Sequence, residues 1–148
     1  MKVSKENKEK FMDSFQNLVR SIKSELDVCS EMCGGLNEKE MIVMGYVGQH
    51  QNVKMSDIAE SIDAPMSTLT SIVDKLVERK VLTREHSSDD RRAINVTLSQ
   101  NGKDTYNTLI GLKKQTGEKL LSQLNEKEQA VFLRNIDLLA SYLGSKKK

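Results

Sequence analysis

Two aspartates and two arginines stand in a row at positions 89 to 92, inside the polar run HSSDDRR. A guanidinium is planar, permanently charged and able to fork two N–H groups toward oxygen. Arg91 and Arg92 are therefore suited to a narrow groove lined by phosphates, and Asp90 can hold one of them extended through a bidentate pair. Upstream, Ser67, Thr68, Thr70, Ser71 and Lys75 combine short hydroxyls with a cation, and Lys54 adds another. Such side chains let a backbone come close to base edges and phosphates and hydrogen-bond to both. A thiol pair, Cys29 and Cys33, has the spacing of one helical turn. It can pack as two small apolar groups, respond jointly to an oxidant, or share a metal.

The whole chain limits what these groups can be for. Its 148 residues are 37% hydrophobic and 30% charged, ordinary for one compact domain or two small lobes sharing a core. With no Trp, 4% aromatics and a single proline, the core must be Leu, Ile, Val and Met, and long helices are favoured over a turn-rich β fold. The amino terminus, MKVSKENKEKFMDSF, scatters charge through a stretch where a signal peptide would be apolar. With no membrane-spanning run either, a cytoplasmic protein with reduced thiols is expected. A net charge of +2 does not by itself argue for nucleic acid, so any such case depends on where the charges sit. There is no phosphate-binding glycine loop, no nucleophile and base at a recognisable spacing, and no carboxylate–histidine cluster. No enzyme and no cofactor are expected. Two histidines, His50 and His86, make a histidine-rich metal site hard to assemble.

Apolar residues at Phe11, Phe15, Leu18, Val19, Ile22, Leu26, Cys29 and Cys33 follow steps of three and four. They predict a long first helix that Gly34 and Gly35 end. LNEKEM then supplies Asn37 as cap, Glu40 to answer it and Leu36 to pack on Met41, which starts a second helix running to about His50. LNEKE returns at 124–128 before a last helix with Val131, Ile136, Leu139 and Leu143 on its apolar face. Between them Tyr106, Leu109, Ile110, Lys113, Leu120 and Leu124 line one side of a helix capped by Ser99. Met12, Met32, Met41, Met44 and Tyr46 are candidates for core packing or for an apolar ligand pocket. The terminal KKK reads as a solvated tail.

Residues 53 to 80 differ. VKMSDIAESIDA predicts a helix of two turns with Ser56 as cap, and PMSTLTSIVDKLVERK a second one opened by Pro65, with Leu69, Ile72, Val73, Leu76 and Val77 inward. Helix, short turn and helix make a helix-turn-helix unit. VLTRE and AINVTL, the latter alternating Ile94, Val96 and Leu98, predict a hairpin whose loop HSSDDRR projects into solvent beside that second helix.

With these residues in place, Val53 to Gly102 resembles the winged helix of the multiple-antibiotic-resistance regulator (MarR) family. The carrying residues are Met55 to Ala59, STLTSIVDKLVERKVLTRE and above all DDRRAINVTLSQNG. Ser99 replaces the usual threonine, and Lys80 stands where such sequences often carry glycine. The resemblance implies a mostly α fold with a small β-hairpin wing: a winged helix-turn-helix plus a helical dimerisation region. Its divisions are a dimerisation helix (1–36), a DNA-binding domain (37–98) and further dimerisation helices (99–148). It also implies a homodimer on double-stranded DNA at a palindromic operator, a repressor released by a small-molecule effector or an oxidant. Ser67, Thr68, Thr70, Ser71 and Lys75 would lie near bases or phosphates. Either wing arginine can enter the minor groove, and the resemblance favours Arg91 there and Arg92 for the brace with Asp90. Lys54 to Arg92 holds seven basic against eight acidic side chains, so DNA binding requires them to segregate by face, with most carboxylates turned away. The rival reading is a winged-helix protein-interaction module that does not bind DNA.

Overall fold

A computed structural model describes residues 2–89 and 92–144. In chain order the elements are α1 (Lys5–Met32), α2 (Glu38–His50), β1 (Val53–Lys54), α3 (Met55–Ser61), α4 (Met66–Glu78), β2 (Leu82–His86), β3 (Ile94–Leu98), α5 (Gln100–Leu121) and α6 (Glu126–Gly144). The chain divides into two compact units between Ile110 and Gly111, inside α5.

Local chemistry sets most helix ends. Ser4 caps α1 by accepting from the Asn7 N–H at 3.1 Å. At its other end Gly34 and Gly35 take φ of 73° and 76°, a left-handed stop that glycine adopts without a Cβ penalty. Asn37 and Glu40 form the reciprocal capping box of α2. Asn125 and Glu128 repeat it for α6, with bonds of 2.9 and 3.1 Å. Both uses of LNEKE thus do what the sequence predicts. Ser99 caps α5 by accepting from Gly102 N at 2.9 Å, and its own hydroxyl donates to the carbonyls of Lys80 and Val81 at 2.5 and 3.1 Å.

In the first unit α2, α3, α4 and the sheet enclose one core, with Leu36, Met44, Ile58, Leu69, Leu76 and Val96 fully buried. The sheet has three antiparallel strands in the order β1-β3-β2, with Val53 opposite Val96 and Leu82 opposite Leu98. The predicted hairpin is therefore joined by a short third strand. In the second unit Gln129 Nε2 donates to the carbonyls of Leu121 and Leu124, closing the turn that leads into α6.

Several local expectations are corrected. Ser56 does not cap α3: the N-cap falls two residues earlier, at Lys54, so Ser56 is already inside the helix and its hydroxyl faces the Asp57 carboxylate at 3.4 Å. Pro65 is the N-cap of α4, one position outside the helix. Leu124 falls beyond α5, which ends at Leu121. Met41 and Met44 are core, but Met12 and Met32, on α1, are 59% and 58% exposed. No described helix is long and apolar enough to cross a membrane.

Candidate nucleic-acid interface

Helix α4 divides its surface by periodicity. Leu69, Ile72, Val73 and Leu76 are buried, and at 100° per residue the opposite stripe is Ser67, Ser71, Asp74 and Glu78, all exposed. Thr70 lies exposed on one flank of that stripe. On the other, half-buried Thr68 and exposed Lys75 line a shallow hollow with Asn37 and Glu40 of the α2 start. The Thr70 and Ser71 hydroxyls donate to the carbonyls of Met66 and Ser67 at 2.8 and 3.2 Å. Their oxygen lone pairs remain available, and rotation frees the proton for an outside acceptor. Of the predicted hydroxyl residues, Ser67 and Ser71 are thus on the outward stripe, with exposed Thr70 on one flank and half-buried Thr68 on the other.

That stripe also carries two carboxylates, so the expected segregation is incomplete. Asp74, 56% exposed, is met by Arg84 of β2, whose Nη2 lies 2.6 Å from its Oδ1 and 3.4 Å from the Thr70 carbonyl. The pair neutralises Asp74 and fastens the wing strand alongside the helix. Sequence reasoning assigned Arg84 no role. The available signal was strand alternation, which sets Arg84 on the same inward side as Leu82, where a cation needs a partner. Its Nε is buried without one among the described residues.

The wing starts with Ser87 N donating to Ala93 O at 2.9 Å, and Asp89 N donates to the Ser87 hydroxyl at 3.3 Å. Arg92 is exposed and engaged within the chain. Asp90 and Arg91 lie outside the described residues, and the expected brace lies there with them. Lys54 is exposed at the end of β1, opposite Asn95 of β3.

The two thiols lie at the end of α1. Cys33 is 3% exposed, Cys29 packs half-buried against the core, and both are free. Burial pushes the Cys33 thiol above its ordinary range and the neighbouring Cys29 adds to this, so Cys33 is held as the protonated, weakly nucleophilic form. A cleft of about 520 Å³ lies where the end of α2 meets β3 and the start of α5, lined among others by Gln51, Thr97, Lys103, Tyr106 and Asn107. The Tyr106 ring rests on Gly48, where a Cβ would stand 2.4 Å from it.

Comparison with known proteins follows the same outline. The family model described as MarR family matches residues 36–94. The chain is 33% identical over 125 residues to the HTH-type transcriptional regulator YfiV of Bacillus subtilis, covering 82% of this chain and 76% of that protein. It is 28% identical over 115 residues to the HTH-type transcriptional repressor MdtR of the same organism, covering 78% and 74%. Among solved structures, Streptococcus pneumoniae FabT in complex with DNA matches with a TM-score of 0.81 at 22% identity, over 97% of this chain and 100% of that one. At that identity the likeness speaks for the fold.

Proposed function

The chain belongs to the MarR family, and from that premise we propose that it is a dimeric, sequence-specific DNA-binding transcriptional regulator, a repressor released by a small ligand or an oxidant. The observation that carries this reading is the outward hydroxyl stripe of α4 tied to the wing strand by Arg84 and Asp74. With 13 residues, α4 is about 20 Å long and has the girth to lie in a major groove. The wing arginines, Arg91 or Arg92, then enter the adjoining minor groove, where phosphates of both strands concentrate negative potential. Lys54 and Lys75 serve as phosphate contacts. Relatives named as a transcriptional regulator and a repressor, and a structural neighbour solved on DNA, support the same reading.

One lobe makes too few contacts for a specific complex, and a two-fold pair doubles them on a palindrome. Support for a second copy comes from exposed apolar residues on α1 and on α6, each taken within its own unit. Phe11, Phe15, Leu18, Val19 and Ile22 of α1 are 47–59% exposed, and Val131, Phe132, Ile136 and Leu139 of α6 are 40–54% exposed. Faces of this kind mark interfaces. The cleft beside Tyr106 and Lys103 has the size of a small-ligand site. The raised Cys33 thiol favours packing at that position, which leaves half-buried Cys29 as the better placed of the two for an oxidant.

Selection of genomic fragments bound by the purified chain, with and without peroxide, tests the reading. Enrichment of a pseudo-palindromic sequence is expected. Recovery of fragments no different from the input contradicts it and favours a winged-helix module that binds protein.

A further inference from the structure

We propose that Arg79 is the positioning residue through which the end of α1 sets the placement of α4. The proposal rests on the reading of α1 as a dimer helix and α4 as the DNA-reading helix. Arg79 is the C-cap of α4. A cation at a helix C-terminus is favoured by the dipole wherever in solvent it points. This one turns back over the lobe instead: its Nη2 donates to the Gly34 carbonyl, and its Nη1 lies 3.4 Å from Glu40 Oε2. Glu40 is 5% exposed, and the same Oε2 accepts from Asn37 N at 2.9 Å in the capping box that starts α2. One guanidinium therefore joins the last turn of α4, the turn that ends α1 and the first turn of α2.

The junction has little freedom to give way elsewhere. Gly35 N donates to Ser30 O at 2.7 Å and Gly34 N to Glu31 O at 3.2 Å, so the turn presenting the Gly34 carbonyl is bonded to the last turn of α1. Cys33 and Leu36, on either side of it, are buried in the core. A buried carboxylate is costly without its cation, which holds Arg79 at Glu40. A shift of α1, as when two copies rearrange, is passed through this contact to the Lys75–Arg79 end of α4. Arg79 itself reads no base in this scheme.

The test uses the full chain as wild type, Arg79→Gln and Arg79→Lys, with circular dichroism to establish folding. In hydrogen exchange without DNA, Arg79→Gln speeds exchange at residues 34–40 by about tenfold or more and leaves β2 and β3 as in wild type, with Arg79→Lys between. Unchanged exchange at 34–40 overturns the proposal. In titrations of a selected fragment against random duplex, Arg79→Gln lowers the affinity ratio by about tenfold with an unchanged salt slope, because no phosphate contact is lost. An unchanged ratio overturns the positioning role, and so does a slope shallower by about one, which marks a direct phosphate contact. Should Arg79→Gln fail to fold, Arg79→Lys carries both comparisons in the same direction. If wild type binds neither duplex, the DNA reading fails, and exchange alone decides whether Arg79 holds the junction.

Discussion

Arg84 of β2 and Asp74 of α4 meet at 2.6 Å, and the same guanidinium nitrogen lies 3.4 Å from the Thr70 carbonyl. A charge-assisted bond thus runs from the wing strand to the middle of the helix beside it. It adds a tie between two elements that already share the core through Leu76, Val81 and Leu82, and it neutralises a carboxylate on the outward stripe.

Removing that carboxylate has a sign that separates its two effects. Asp74→Asn raises affinity for random duplex at low salt by about threefold or more, because the carboxylate that offsets Arg84 is lost and the guanidinium charge is left to attract phosphate. Stability falls by about 0.5 kcal/mol, the scale of an exposed pair. Fluorescence anisotropy and urea denaturation read the two quantities; weaker binding to random duplex contradicts the placement of Asp74 toward DNA.

Lys80 has φ of 57°, and the turn that ends α4 needs it: Lys80 N donates to Val77 O and Val81 N to Leu76 O at 2.9 and 2.8 Å. A left-handed lysine costs more than a glycine, even after the greater unfolded-state entropy of glycine. Lys80→Gly therefore raises unfolding stability by about 0.5–1 kcal/mol, measured by denaturant titration. A loss of stability contradicts the turn geometry.

The sequence was most legible where structure is local. Both LNEKE segments cap helices, Gly34 and Gly35 end α1, and the spacing of Leu69, Ile72, Val73 and Leu76 marks the inward face of α4. Strand β1 escaped because Val53–Lys54 is too short for any periodicity. Ser56 misled because a capping residue type need not sit at the cap: α3 starts at Met55, two residues earlier than a Ser56 cap implies. The contacts of Arg84 with Asp74, and of Arg79 with Glu40, were not legible in sequence. Each depends on how separate elements pack, and a salt-bridge partner 39 residues away leaves no spacing to read.

Two glycines of α5 predict opposite outcomes. A Cβ on Gly102 would stand 1.9 Å from the Val81 carbonyl, whereas Gly111 has nothing within 4 Å. Gly102→Ala destabilises by about 2–3 kcal/mol, and Gly111→Ala stabilises by about 0.5–1 kcal/mol through helix propensity. Thermal melts of the two variants give the comparison. Equal melting temperatures contradict the close approach of α5 to Val81.

Cys33 links stability to pH. Its thiol is raised by burial and by Cys29, so the folded state keeps a proton that the unfolded chain has released. The stabilisation is complete below the ordinary thiol range and is lost as pH rises through it toward the folded value. Wild type therefore loses more stability than Cys33→Ala above pH about 8.5, read by denaturation at stepped pH. Parallel curves for the two proteins contradict a buried, protonated Cys33.

The central claim is that α4 and the wing grip DNA together, and the salt dependence of duplex affinity tests it most directly. Between 50 and 200 mM salt, roughly the range where counterion release is read, wild type loses affinity steeply, and Arg91→Ala shows a slope shallower by about one phosphate contact. Binding that ignores salt, or an Arg91→Ala slope equal to wild type, contradicts the account.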